Sequence, residues 1–246
     1  MTELRDHPQI AELMETLEKN DMHKEKEKVE SLVDYIGDME QTLTEMLREM
    51  QDMRKEVSLI HNNSIRVKCQ NLVQKTEDKI KQGLAVVVKI KDNLIQSAKN
   101  AVKTFKEKGK EAFHNAVIAM KIPETLDKLA DLFGKFSRDI EQDIEKVKSM
   151  QTELSSAKGH LRNFGRLLIG KSAKEAEKAN ADKGILMRFG KLLDKMSNGF
   201  GNLSQKAMDK ADTIRISHVR DSVRKELDAL KEIKTGRAKS DSARER

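Results

Sequence analysis

One stretch constrains the fold more than any other. Across residues 29–60, apolar side chains recur at alternating steps of three and four: Val29, Leu32, Ile36, Met39, Leu43, Met46, Met50, Met53, Val57 and Ile60. A repeat of 3.5 residues keeps one stripe of a helix facing a neighbour along its whole length. Val29, Ile36, Leu43, Met50 and Val57 take the a positions of the heptad, and the other five take d. At ~1.5 Å per residue the seam runs roughly 48 Å. Such a helix is half of an interface. Val33 and Leu47, at e, widen the stripe, which favours a bundle or antiparallel hairpin over a two-stranded parallel zipper. Three of the five d positions are Met, a flexible and polarizable residue that tolerates exchangeable partners.

Composition supports long helices around narrow cores. Of 246 residues, 37% are hydrophobic and 36% charged, and only 3% are aromatic. That balance suits helices that each bury one stripe. The only prolines are Pro8 and Pro123, so the segments between them can form long helices. Together these observations predict an all-α, elongated long-helix bundle or coiled coil with a Gly-rich short-helix region and a disordered C-terminal tail.

In chain order, Pro8 suits the first turn of a short helix carrying Ile10, Leu13, Met14 and Leu17 on one face, with Asn20-Asp21 as its stop. The heptad helix follows, from about His23 to His61. His61-Asn62-Asn63-Ser64 reads as a turn with Ser64 as the next N-cap, a phase slip in one helix being the alternative. From Leu84 to Met120 the apolar period lengthens. Leu94, Phe105 and Ala116 are eleven apart, as are Val102 and Phe113, and Ala98, Gly109 and Met120, so a nearly straight stripe is expected. Pro123-Glu124 opens a third long helix with a second seam at Leu126, Leu129, Phe133, Phe136, Ile140, Asp143, Val147, Met150, Leu154, Ala157 and Leu161. Asp143 alone interrupts it. The expectation is that Ile144 substitutes locally and Asp143 faces solvent; a polar residue fixing register is the alternative. The two seams are of similar length and are expected to pack on each other, within one chain or across a dimer.

Seven of the twelve glycines fall within 159–201. A Phe-Gly-basic core recurs at Phe133-Gly134-Lys135, Phe164-Gly165-Arg166 and Phe189-Gly190-Lys191, and the last two copies read as a degenerate repeat that predicts short helices there. A final helix is expected over about 206–233, with Ile216, Val219, Val223, Leu227 and Leu230 on one face. The organisation is thus 1–122 (short helix, acidic heptad helix, basic helix), 123–162 (second heptad helix packing on the first), 163–234 (short helices and the last helix) and 235–246 (disordered tail).

The net charge of +7 conceals an asymmetry. Residues 1–60 hold 16 acids and 8 bases, leaving +15 for the remainder. Lys99, Lys103, Lys106 and Lys110 form a row at helical spacing and are the candidate basic surface. Its apolar reverse side is expected to pack on the neighbouring helix; nucleic acid and an anionic membrane surface are the functional readings, and either would be salt-sensitive. The ten seam residues are the candidate heptad interface, for a protein partner or self-association.

Chemistry is poorly represented. Residues 165–172 match the phosphate-loop spacing G-x-x-x-x-G-K-[ST], but a helical seam rather than a strand precedes it, and Leu167, Leu168 and Ile169 are bulky where the loop must wrap closely. The histidines, His7, His23, His61, His114, His160 and His218, lie apart from one another and from any metal-ligand spacing. Cys69 is the lone cysteine, expected on a helix surface or half-buried, which excludes an intrachain disulfide and suits a reducing compartment. The chain reads as non-enzymatic, with no cofactor and no metal. Neither a signal peptide nor an 18-residue apolar run is seen, so the expected location is cytoplasmic.

The runs Ile10-Ala-Glu-Leu-Met-Glu-Thr-Leu-Glu-Lys-Asn20, Leu32-Val-Asp-Tyr-Ile-Gly-Asp-Met-Glu40, Ile60-His-Asn-Asn-Ser64 and Met120-Lys-Ile-Pro-Glu-Thr-Leu-Asp-Lys-Leu129 resemble an uncharacterised family of helical bacterial proteins. Its members are commonly carried on integrative or conjugative elements of Gram-positive gut bacteria. The resemblance covers most of the chain, names no activity and brings no catalytic residue. It implies a cytoplasmic accessory protein of a mobile element.

Overall fold

A computed structural model of the chain describes residues 4–164 and 171–242, with side chains over 4–156 and 177–216. After a 3-10 turn at Leu4–Asp6, five helices follow: α1 (Pro8–Lys19), α2 (His23–Ser58), α3 (Asn63–Ile118), α4 (Ile122–Phe164) and α5 (Lys171–Ser242). The fold is an all-α bundle. Its apolar side chains form one continuous core drawn from all five helices.

Within one chain, partner order differs from the expectation that the two heptad seams pack on each other. α2 packs chiefly on α3, and α4 on α5; α2 and α4 touch little and lie diagonally across the core. Cross-helix pairs fix the directions. Arg54 meets Glu77 and Lys91 meets Glu40, so α2 and α3 are antiparallel. Lys75 meets Asp143 and Lys68 meets Glu153, so α3 and α4 are antiparallel too. His61 meets Asp182 and Lys206 meets Asp38, closing the ring between the start of α3, α2 and α5. The physical reason is connectivity: the short turn after α2 and the reversal at Gly109 make α2, the long arm of α3 and α4 successive antiparallel neighbours, which leaves the first and third of them opposed.

The turn between α2 and α3 is real, but its N-cap is Asn62, whose side-chain Oδ1 accepts from the Ile65 amide at 3.1 Å. Ser64 already lies inside the helix.

The straight stripe expected over 84–120 is broken at Gly109. Its φ of 81° and ψ of −170° belong to a region that a side chain essentially forbids. The chain folds back there. The Phe105 and Phe113 rings stand 5.3 Å apart, whereas eight residues of straight helix would separate them by about 12 Å. Met120 shares a cleft with Leu94 and Ser97 on the outgoing arm. α3 is therefore a long arm and a short returning arm. A residue of positive φ, Lys121 at 50°, then joins the returning arm to α4, with Pro123 in its first turn.

α5 corrects the expectation of short helices over 163–234. It is one helix of 72 residues, and its backbone stays helical to Ser242, through part of the segment expected to be disordered. Three of its glycines serve approach to other helices. Gly190 faces Val147 and Gln151 of α4, Gly201 faces Ser137 of α4, and Gly199 faces Met46 of α2. The middle copy of the Phe-Gly repeat, most of the phosphate-loop match and residues 243–246 lie outside the described residues, and the seam ends Ala157 and Leu161 lie outside the described side chains.

Candidate functional site: the core seams and the basic face

All ten residues of the first seam are buried, none more than 7% exposed. They face the bundle interior, between α3 and α5. Val33 is buried beside them and Leu47 is partly buried against the core. Tyr35 joins this face from position g, which the heptad reading left out. Its hydroxyl donates to the Leu203 carbonyl of α5 at 2.6 Å, and burial raises the phenol pKa. A lone Tyr one residue before a seam position was the available signal, since a buried Tyr needs a partner for its hydroxyl.

The α4 seam departs from expectation at Asp143, which is fully buried rather than solvent-facing. Ile144 is buried too, at 7%. Lys75 of α3 approaches the Asp143 carboxylate to 3.0 Å, and Lys146 donates to Oδ1 at 2.7 Å. A buried carboxylate is tolerated when cations reach it. The lysines do so from half-exposed stems that keep the ammonium groups near water.

Two other buried acids have comparable roles. Glu77 takes a two-pronged contact from Arg54, at 2.9 and 2.5 Å. Asp182, 2% exposed, accepts from the His61 and Asn62 amides at 2.8 and 2.9 Å and approaches His61 Nδ1 at 3.0 Å. It thereby binds the α2–α3 turn to α5 by satisfying amides that the helix start leaves unpaired. The sequence offered no sign of this long-range cap, 121 residues from His61.

Cys69 is fully buried, not at the surface, with Sγ 3.7 Å from the Met150 sulfur. Burial pushes its thiol up to about 12. A thiol held protonated is a poor nucleophile.

Lys99, Lys103, Lys106 and Lys110 are all exposed, but they are not one row. Gly109 separates Lys110 from the other three. Lys103 lies 3.8 Å from Glu107, and Lys106 lies 2.7 Å from Glu12 of α1. The acidic N-terminal segment thus neutralises part of the basic helix within the chain.

The sequence matches the model of a family of unknown function, DUF6674, over residues 6–246. The chain belongs to the DUF6674 family. No curated protein and no solved structure matches it.

In this DUF6674 chain, no group of three or more His, Cys, Asp or Glu side chains is placed to hold a metal among the described residues. None of the described helices is long and apolar enough to cross a membrane. Several buried polar side chains of this DUF6674 bundle join helices. Arg54–Glu77 links α2 to α3, Lys75–Asp143 links α3 to α4, Tyr35–Leu203 links α2 to α5, and Ser137–Ser197 links α4 to α5.

Proposed function

We propose that this protein is a non-enzymatic helical scaffold that engages a protein partner, or a second copy of itself, through α5. The observation carrying this reading is the disparity between neighbours: α5 has 72 residues against 43 in α4. Arg215 is already paired with Asp127 in the second turn of α4, and the α5 backbone remains helical to Ser242. A helix continued beyond its neighbour needs another surface for its apolar stripe. The sequence supplies such a stripe from Ile216 to Leu230. Met187, Met208 and Ile216 add exposed apolar area, at 53%, 48% and 59%. Membership in a family of unknown function is compatible with this role. The resemblance to proteins of integrative elements supports an accessory role in a Gram-positive mobile element, in the cytoplasm.

Light scattering coupled to size-exclusion chromatography tests the reading. The intact chain should self-associate or retain a captured partner, and removal of residues 217–246 should abolish this while the bundle still melts cooperatively. A monomer at all concentrations that captures nothing overturns it. The second reading, binding of nucleic acid or an anionic surface through the part after residue 61, is supported by the exposed Lys99 and Lys110, which have no carboxylate within 4.0 Å among the described residues. Titration with DNA, RNA and anionic vesicles at two salt concentrations tests it; absence of binding at low salt removes it.

A further inference from the structure

The boundary between α3 and α4 is built on charge matching over most of its length. Lys68 faces Glu153 at 3.3 Å, Lys75 faces Asp143, and Lys79 faces Asp139. Each time a lysine of α3 meets an acid of α4. Nearer the start of α4 the pattern fails. α3 contributes Lys89, and α4 answers with Lys128. Both are exposed, and among the described residues neither has a carboxylate within 4.0 Å.

Between these two lysines the helices part around a cleft of about 300 Å³. Its lining combines Leu94 and Leu129, 4% and 0% exposed, and Met120 of the α3–α4 junction with the polar side chains of Asn93, Ser97 and Thr125. That volume is at the lower end of small-molecule sites, and a lining that mixes apolar side chains with polar groups is typical of them. Lysine stems cover apolar surface while their ammonium groups stay at the rim. A partly apolar slot under two uncompensated cations selects an amphiphile with one anionic head and a short tail.

We propose that this cleft binds a medium-chain fatty acid, its carboxylate between Lys89 and Lys128 and its chain against Leu94, Leu129 and Met120. The carboxylate supplies the negative charge that Glu153, Asp143 and Asp139 supply at the other rungs. This site is independent of the scaffold reading, since it needs neither a partner nor the end of α5.

Calorimetric titration of the full chain with decanoate tests it. The expected result is saturable binding of one decanoate per chain, with no binding of decylammonium. Replacing both Lys89→Gln and Lys128→Gln should weaken decanoate at least tenfold, and Ser97→Phe, which fills the slot, should abolish it with the helical circular dichroism unchanged. The double lysine variant alters only surface side chains, so it remains informative if the Phe variant fails to fold. Absence of saturable decanoate binding overturns the proposal, as does equal binding of decylammonium, or unchanged affinity in the double variant. A parallel titration with phosphatidylglycerol vesicles separates the sources: binding of vesicles but not of free decanoate, lost in the double variant, also overturns it in favour of a membrane surface.

Discussion

α4 has two neighbours and meets them in opposite ways. Toward α5 it presents small residues and rings. The Ser137 hydroxyl donates to the Ser197 carbonyl at 2.9 Å, the Ser204 hydroxyl donates to the Ala130 carbonyl at 2.7 Å, and a Cβ built on Gly134 would lie 3.1 Å from Ser204 Oγ. Phe133, Phe136 and Phe200 stack and tilt together at 5.4 to 6.3 Å between centroids. Toward α3 the contact is sparser and is bridged by lysines and carboxylates, with a cleft where the charges no longer match. The α4–α5 contact gains its stability from close packing and is specific by shape. The α3–α4 contact is specific by charge, tolerates separation, and leaves room for a guest. One helix can therefore be locked on one side and adaptable on the other.

The largest effect should come from the aromatic cluster. Phe200→Ala should cost about 3–5 kcal/mol in urea unfolding, the range for removing a buried aromatic side chain. A loss below about 1 kcal/mol would mean that the α4–α5 seam is not the rigid one. Bulk sharpens the comparison further. Gly134→Val should destabilise by about 1–3 kcal/mol through overpacking. The same residue placed at exposed Gln82, on the open side of α3, should stay within about 0.5 kcal/mol. Equal melting shifts for the two would erase the distinction.

Alkali tests the buried groups. The Cys69 thiol ordinarily titrates near 9.0 but is raised to about 12 in the fold, and the Tyr35 phenol is raised by burial as well. The folded state holds protons that the unfolded chain releases, so stability is intact below pH 9.0 and falls as pH rises toward about 12. Cys69→Ala should flatten that decline in pH-dependent urea melts; an unchanged slope would show that the thiol is solvated. Acid gives the smallest effect. The hydrogen bond from Lys79, assisted by its charge, holds the Asp139 carboxyl below its ordinary 3.8. Its contribution is present above that value and is lost as pH falls through the lower folded one. Lys79→Gln should therefore reduce stability at neutral pH by no more than about 1 kcal/mol and blunt the acid limb. A variant that melts like the parent at both pH 7 and pH 3 would remove the charge-matching account of this rung.

Legibility in the sequence followed the range of the interaction concerned. The α2 seam could be read residue by residue, because a 3.5 period is a local property and burial follows it. Pro8 and Pro123 marked helix starts for equally local reasons. Asp143 could not be assigned to core or solvent from its own segment, since its burial depends on Lys75, 68 residues earlier. The same holds for Asp182, whose partners are amides at the far end of α2. The glycines of α5 suggested breaks because glycine weakens isolated helices, yet a helix packed along its length overrides propensity and uses the missing side chain for approach.

The sequence by itself determined that this chain is helical, where its two heptad stripes lie, and how its charge divides between an acidic start and a basic remainder. Periodicity and composition act within each helix, so they needed no knowledge of neighbours. The tertiary structure decided which stripes face each other, that Gly109 folds α3 back on itself, that α2 and α4 lie on the diagonal, and that Lys89 and Lys128 share a cleft without an acid. Those outcomes depend on which residues distant in the chain arrive at the same place, and on side chains packing there or leaving a gap.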